Sequence, residues 1–238
     1  MYVKNNFKKL SDIDTTLLAY TNFSNALLNV DWSNAWPSSR ELSYAPGFSF
    51  ANIPFMNNHS GFKAQWHAKN NLDNSLPADM VDVRNNSLAF FLMIESLVPN
   101  HRVIRVEILT QKSKGQIDRK SEYNGMHIDH RIFHRYAKRC QVSIATNNDA
   151  FLNVAYDRVS IPLGSLYEFN NKEVHWGVNY GNSNRIVTVI DLLDTNVWDN
   201  LDLDTKYNFF ESDDKEIIAI NNRRTTEFKS EFKQKHGL

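Results

Sequence analysis

Short strand-like segments fill the second half of the chain, one closely after another. They are rich in β-branched and aromatic residues, and Asn, Asp, Gly and Pro separate them. The segments cover residues 103–109, 125–131, 140–145, 151–156, 158–161, 166–169, 174–179 and 185–193. Such a pattern predicts an antiparallel sandwich or barrel rather than alternating β–α–β units.

Helices are predicted on both sides of this β region. Residues 12–28 and 88–97 have helical periodicity, and the second helix is expected to begin at Asn86 or Ser87 and to end near Pro99. Residues 31–71 are expected to form loops and short strands around Trp32, Trp36 and Trp66, and residues 213–235 a charged helix. We therefore expect one structural domain, with an N-terminal helical and irregular layer over residues 1–100, a β core over 101–194 and a helical extension over 195–238.

The charge balance and the cysteine content limit which partners the protein is expected to bind and which cell compartment it is expected to occupy. Lysine plus arginine equals aspartate plus glutamate at 27 each, which argues against a strongly basic surface for nucleic acid. Cys140 is the only cysteine, so no intrachain disulfide can form. The first residues lack the apolar core of a signal peptide, and the most apolar stretch, 88–98, contains Glu95 and is too short to span a membrane. We expect a cytoplasmic protein with no nucleic-acid or membrane partner; the oligomeric state is not readable.

Two histidines and one aspartate have a spacing that suits an iron site. His127 and Asp129 are two positions apart, so on a strand they point the same way, and His175 lies on a later strand-like segment. Two imidazoles and one carboxylate can hold Fe(II) on one face and leave the other face open. Taken alone, the pair is better explained by a hydrogen-bonded His127 and by Asp129 in a turn or an ion pair. Zinc binding through His127 and His130 is disfavoured, because no cysteine set completes the site.

An arginine follows the second histidine at a distance that suits a cosubstrate site. Arg185 begins a strand-like segment ten residues after His175. A guanidinium binds a carboxylate through two parallel hydrogen bonds, so Arg185 could hold 2-oxoglutarate; a surface ion pair is the alternative. Arg139 begins another segment and shares a face with Gln141, opposite Cys140, which makes Arg139 a second candidate for the pocket.

These segments resemble a known enzyme family. The matching runs are His127–Asp129, Arg139–Ile144, Gly164–Asn170, His175–Gly181 and Arg185–Asp191, and together they are similar to the aspartyl/asparaginyl β-hydroxylase family. Within it the spacing is most similar to the bacterial cis-proline hydroxylases. The resemblance covers about residues 103–193 and leaves out the N-terminal third and the C-terminal tail.

The resemblance implies a mainly β fold with a double-stranded β-helix (jelly-roll, cupin-like) core, to which the sequence patterns outside it add N-terminal helices and a C-terminal helix. It implies Fe(II) bound by His127, Asp129 and His175, and 2-oxoglutarate bound by Arg185 with help from Arg139. At Gln141 the chain departs from the family, which commonly has a histidine there. Glutamine can still donate a hydrogen bond to the cosubstrate but carries no charge.

The residues and the resemblance together predict an iron- and 2-oxoglutarate-dependent dioxygenase. It would use O2 to hydroxylate an unactivated C–H bond of an amino acid, a peptide residue or another small metabolite. Arg131 and His130 are the candidates for substrate contact. Two other classes remain open: a noncatalytic jelly-roll ligand-binding protein and a cupin-type metalloenzyme that does not use 2-oxoglutarate. Only the oxygenase needs Arg185 in the pocket.

Overall fold

Two antiparallel sheets form the centre of the protein. The computed structural model describes residues 6–30, 48–53, 78–111, 113, 122–123, 125–130, 132–201 and 214–238. The strands are β1 (Phe7–Asp12), β2 (Phe48–Ile53), β3 (His101–Gln111), β4 (Lys138–Ala145), β5 (Ala150–Val154), β6 (Asp157–Val159), β7 (Ser165–Phe169), β8 (His175–Asn179) and β9 (Arg185–Asp194). The helices are α1 (Leu18–Leu28), α2 (Ala78–Leu97), α3 (Thr195–Asp199) and α4 (Lys215–His236), with a 3-10 turn at Ile132–Arg135.

The larger sheet has the strand order β1-β7-β4-β9-β3-β2, and the smaller sheet has the order β6-β5-β8. Every neighbouring pair of these strands runs antiparallel. The expected mainly β fold with a jelly-roll core, N-terminal helices and a C-terminal helix is therefore confirmed. Two strands from before residue 101, β1 and β2, extend the larger sheet at its two edges.

Alternation along the central strands decides which side chains face the space between the sheets. On β9, Ile186 and Ile190 lie in the cluster that includes α1 and α2, whereas Val187 and Val189 lie in the cluster shared with the smaller sheet. On β4, Cys140, Val142 and Ile144 face the helices, so Cys140 lies on the face opposite Arg139 and Gln141, as predicted. The odd-numbered positions of β4 and β9, which include Arg139 and Arg185, therefore face the interior between the sheets.

The helical layer covers the outer face of the larger sheet. Phe23 of α1 stacks on Phe90 of α2 with ring centroids 4.3 Å apart, and both side chains are fully buried. Burying a phenylalanine side chain stabilises the fold by about 1.5–3 kcal/mol. This layer fixes β4 and β9 from behind and leaves their inner faces for polar side chains.

Two predicted helix starts were wrong. Asp12 ends β1 and pairs with Ser165 of β7, so α1 begins only at Leu18. Helix α2 begins at Ala78, because Val83 extends the buried face back from Phe90, and Asn86 and Ser87 lie inside the helix. The end of α2 before Pro99 and the C-terminal helix agree with the prediction.

The predicted strand over residues 125–131 was also wrong. In the described residues 125–130 it is reduced to one isolated bridge between His127 and His175. Side-chain hydrogen bonds from outside the sheets hold the remainder, including one from Asn221 of α4. The expectations for Trp32, Trp36, Trp66 and Arg131 lie outside the described residues.

A search of the described residues finds no helix with the length and apolar character needed to cross a membrane.

Candidate metal centre

The three predicted metal ligands come together at the edge of the smaller sheet. One ligand atom from each of His127, Asp129 and His175 can be chosen so that all three lie within 4.8 Å of one another. The Asp129 carboxylate lies 3.8 Å from Nε2 of His127 and 3.7 Å from Nε2 of His175. The isolated bridge joins the two segments, since the backbone N–H of each histidine donates to the carbonyl of the other. This arrangement could hold a divalent metal ion.

Backbone carbonyls set the orientation of both imidazole rings. Nδ1 of His127 lies 2.9 Å from the carbonyl oxygen of Gly125, and Nδ1 of His175 lies 2.9 Å from that of Glu173. A carbonyl only accepts, so each ring donates from Nδ1 and keeps the lone pair on Nε2. This is the tautomer that binds a metal through Nε2, with the second ring nitrogen held by a partner in the protein.

The electrostatics keep the site in its metal-binding protonation state. Burial, together with the neighbouring His127, lowers the pKa of His175 to about 4, so this imidazole is neutral at pH 7. Burial acts to raise the pKa of Asp129, but Arg139 and the nearby histidines outweigh it and hold this pKa well below its usual range. Metal binding needs neutral imidazoles and an ionised carboxylate, and the site provides these for His175 and Asp129.

Arg139 and Asn171 hold one oxygen of the Asp129 carboxylate. Nε of Arg139 lies 3.2 Å from Oδ2 of Asp129, and Nδ2 of Asn171 donates to the same oxygen at 3.1 Å. Arg139 also binds Asp191, at 3.0 Å, and Glu107. Arg139 thus directly contacts one of the predicted metal ligands, and its expected contact with a cosubstrate stays a prediction.

A cluster of buried charges surrounds this arginine. It contains the carboxylates Glu107, Asp129 and Asp191 and the guanidiniums of Arg105 and Arg139. Three negative charges against two positive ones leave a net charge of −1 when all are ionised. Burial, together with the nearby acids, raises the pKa of Asp191 to about 6 despite both arginines. The cluster therefore favours an additional cation, which a divalent metal ion would supply.

Arg185 is a buried cation with no anionic partner among the described residues. Its Nη1 donates to Oε1 of Gln111, and no described residue accepts a hydrogen bond from its Nε. Burial is the one cause that lowers its pKa, to about 10, which still leaves it charged at pH 7. A buried charge normally has a partner of opposite sign, so this side chain is suited to bind an anionic ligand.

Gly177 connects the arginine with the metal centre. It lies two residues after His175 on β8, and so on the same face of that strand. A Cβ at Gly177 would lie 2.7 Å from Nη1 of Arg185 and 3.2 Å from Nε2 of Gln111. The guanidinium therefore lies directly over the backbone of Gly177, and a side chain at this position would displace it.

The other predicted site residues have different environments. Gln141 is 2% exposed, and its Nε2, on the interior face of β4, is buried with no hydrogen-bond partner in the described part of the chain. This unsatisfied donor is consistent with a ligand in the pocket, and its predicted role in cosubstrate binding stays a prediction. His130 is exposed, and Arg131 lies outside the described residues.

Sequence reasoning did not identify several residues around the ligands. Asp191 could have been found, because it lies six residues after Arg185 on β9 and therefore on the same face of that strand. His134 is a further buried neighbour, and its Nε2 accepts a hydrogen bond from Arg139 at 2.8 Å. No local signal marked Asn171 or Asn221, because their contacts with Asp129 join residues 42 and 92 positions apart.

Comparisons with known proteins find distant structural likenesses only. No family model and no curated protein matches the chain. A 2OG-Fe(II) oxygenase family protein from Burkholderia pseudomallei is 10% identical with a TM-score of 0.41, covering 80% of this chain and 85% of its own. A Pseudomonas putida prolyl-4-hydroxylase is 9% identical with a TM-score of 0.38, and the match covers 78% of this chain and 91% of the hydroxylase. The α-ketoglutarate-dependent epimerase SnoN from nogalamycin biosynthesis is 13% identical with a TM-score of 0.40, and the match covers 79% of this chain and 78% of the epimerase.

Proposed function

We propose that this protein is an Fe(II)- and 2-oxoglutarate-dependent dioxygenase that hydroxylates an unactivated C–H bond. The observation that carries the proposal is the pairing of two complementary sites on one face of β8. The His127, Asp129 and His175 cluster suits a cation, and the guanidinium of Arg185 over Gly177, which has no anionic partner among the described residues, suits an anion. A dicarboxylate that also chelates the metal would occupy both sites.

The three proposed ligands suit a catalytic iron ion better than a metal ion with a purely structural role. Two imidazoles and one carboxylate leave several coordination positions open, as oxygen chemistry requires, whereas a structural zinc site uses four protein ligands. Fe(II) bound there would couple the oxidative decarboxylation of 2-oxoglutarate to C–H hydroxylation, with O2, 2-oxoglutarate and R–H giving succinate, CO2 and R–OH.

The chain's own residues would bind, orient and desolvate the reactants. Arg185 would bind the distal carboxylate of 2-oxoglutarate, and Nε2 of Gln141 could donate a hydrogen bond to the cosubstrate. Arg139 and Asn171 hold the Asp129 carboxylate in place. Apolar side chains between the sheets, including Val187, Val189 and Leu152, would exclude water.

For the substrate we propose a free amino acid or an amino-acid residue of a peptide, with His130 and Arg131 as the residues that contact it. This part of the proposal rests on the resemblance of the core segments to the β-hydroxylase family. A succinate-release screen over free amino acids and short peptides tests it. Release that no amino acid or peptide stimulates would rule out this substrate class.

An anaerobic titration separates the proposed function from its alternatives. Purified protein is mixed with Fe(II), and 2-oxoglutarate is then added while the visible spectrum is recorded. The proposal expects a weak charge-transfer band that needs both components. Bound iron without a band would favour a cupin-type metalloenzyme, and no bound iron would favour a noncatalytic binding protein.

The variant Asp129→Ala tests the ligand set. We expect succinate formation to be abolished while the far-UV circular dichroism spectrum is unchanged. The fold should survive because Arg139 keeps two other carboxylates, Glu107 and Asp191, as partners. Turnover that persists in this variant would mean that Asp129 is not a metal ligand.

A further inference from the structure

The C-terminal helix α4 contacts both segments that carry the metal ligands. We propose that α4 positions these ligands, chiefly through Asn221 and Arg224, and so sets the affinity and geometry of the metal site. This inference rests on the metal site proposed above. It concerns a part of the chain that the resemblance does not cover.

The His127–Asp129 segment needs support from outside the sheets. Its described residues join β8 through a single bridge, between His127 and His175, and form no continuous strand pairing. Nδ2 of Asn221 donates to the backbone carbonyl of Asp129 at 2.9 Å, and Asn221 is 8% exposed. This hydrogen bond fixes the peptide that follows a proposed ligand.

The segment before His175 is attached to the same helix. Nη1 of Arg224 donates to the carbonyl of Lys172 at 3.1 Å, and its Nη2 forms an ion pair with Glu173 at 2.6 Å. The carbonyl of Glu173 in turn accepts from Nδ1 of His175. Arg224 therefore holds the residue that selects the tautomer and the ring orientation of a proposed ligand.

Apolar contacts from α4 reach the residues adjacent to the ligands. Ile128 lies between His127 and Asp129, Trp176 follows His175, and both belong to one cluster with Phe232. The ring of Trp176 lies 5.9 Å from the rings of Phe228 and Phe232. Because Ile128 and Trp176 point away from the ligand side, α4 packs directly behind the metal centre.

Cobalt titration of the full-length protein tests the proposal without depending on turnover. Co(II) binding is followed by its visible absorption in wild type, Asn221→Leu and Arg224→Gln, with Arg223→Gln as the matched control. The Arg223 side chain is 72% exposed and forms its ion pair with Glu227 of the same helix. Thermal unfolding of each metal-free protein is measured in parallel.

We expect Co(II) binding to weaken about tenfold or more in Asn221→Leu and severalfold in Arg224→Gln, as for other residues that hold metal ligands in place. The absorption spectrum should also change shape, because the ligands are less well oriented. Arg223→Gln should bind as wild type does, and Arg224→Lys should recover part of the loss. Metal-free unfolding midpoints should stay within a few degrees of wild type.

Wild-type affinity and spectrum in both Asn221→Leu and Arg224→Gln would overturn the inference and leave the metal site intact. A second result would also overturn it: weaker Co(II) binding together with a loss of metal-free unfolding free energy as large as the loss of binding free energy. In that case α4 would act on the whole fold and not on the ligands in particular. If wild type itself binds no Co(II), the proposed metal centre and this inference both fail. Should Asn221→Leu not fold, the partly exposed position of Arg224 keeps the test decisive.

Discussion

At the scale of single residues, the two interior arginines differ in what surrounds them. Arg139 contacts three carboxylates, whereas the hydrogen-bond partner of Arg185 among the described residues is the neutral side chain of Gln111. A buried ion without a counter-ion reduces the stability of the folded state. Proteins tolerate such a cost at functional sites, so Arg185 is better explained by a ligand than by folding.

The variant Arg185→Met tests this difference. Methionine fills a similar volume without a charge, so the free energy of unfolding of the ligand-free protein should be unchanged or higher by about 1–4 kcal/mol. Binding of 2-oxoglutarate, measured by calorimetry with Co(II) present, should be lost. In contrast, Arg139→Met removes a cation that contacts three buried carboxylates and leaves Arg105 to pair with Glu107 and Asp191, so it should destabilise the protein by about 3–5 kcal/mol. Equal destabilisation by both substitutions would contradict the assignment of Arg185 as a ligand-binding cation.

At the scale of elements, β8 is the strand that links the two halves of the site. Its first residue, His175, is a proposed metal ligand, and Gly177 supports the guanidinium of Arg185, which belongs to the other sheet. On the other edge β8 pairs with β5, where Leu152 lies opposite Gly177 and Val154 opposite His175. The distance between the proposed metal site and the Arg185 guanidinium therefore depends on the register of β8 with its neighbours.

Gly177→Ala is expected to disturb the arginine and leave the metal centre unchanged. The new methyl group would displace the Arg185 guanidinium, so the affinity for 2-oxoglutarate should fall by about tenfold or more, because small displacements at a binding site have large effects. Co(II) affinity should stay at the wild-type value. Gly125→Ala is the control, since a Cβ there would lie 3.9 Å from Trp176, an ordinary contact. Unchanged cosubstrate affinity in Gly177→Ala would show that the position of this guanidinium is unimportant.

At the scale of the whole molecule, the interior between the sheets has a negative region and a positive region. The acidic cluster around Arg139 carries one excess negative charge, and Arg185 carries a positive charge that no acid in the described part of the chain pairs with. The ligand-free fold therefore holds opposite charges that bound ligands would balance. Metal and cosubstrate should each stabilise the protein by binding the folded state only.

The metal-free protein should lose stability as the pH falls from about 6.5 to about 4. Burial lowers the pKa of His175 to about 4 and that of His134 well below its usual value, so both rings take up protons in the unfolded chain first. Asp191 acts in the opposite direction, because burial raises its pKa to about 6 and the folded protein binds that proton first. The effect of the two histidines is larger than that of the one carboxyl group, so the free energy of unfolding should fall by about 1–3 kcal/mol over this pH range.

Urea unfolding at a series of pH values from 7.5 to about 4 measures this change. A free energy of unfolding that stays constant or rises as the pH falls through this range would contradict the assignment of neutral buried histidines. With a divalent metal bound the decline should be steeper, since metal binding competes with protons for the ligands.

The sequence by itself determined the features that depend on local geometry. Side chains alternate along a strand whatever the strand pairs with, so the interior positions of Arg139 and Gln141 followed from the position of Cys140. The spacing of His127, Asp129 and His175 indicated a metal site for the same reason, although the first two proved to lie outside any continuous strand. The closely spaced strand segments indicated the antiparallel β fold.

Only the tertiary structure decided which distant groups meet. Asp191, Glu107 and Asn171 surround the metal ligands from separate segments, and α4 approaches from the far end of the chain. That no acid among the described residues pairs with Arg185 is equally a property of the assembled interior, since the sequence alone does not specify which of its 27 acids an arginine meets. Contacts between residues far apart in the chain depend on how whole sheets and helices pack, and local sequence patterns carry no record of that packing.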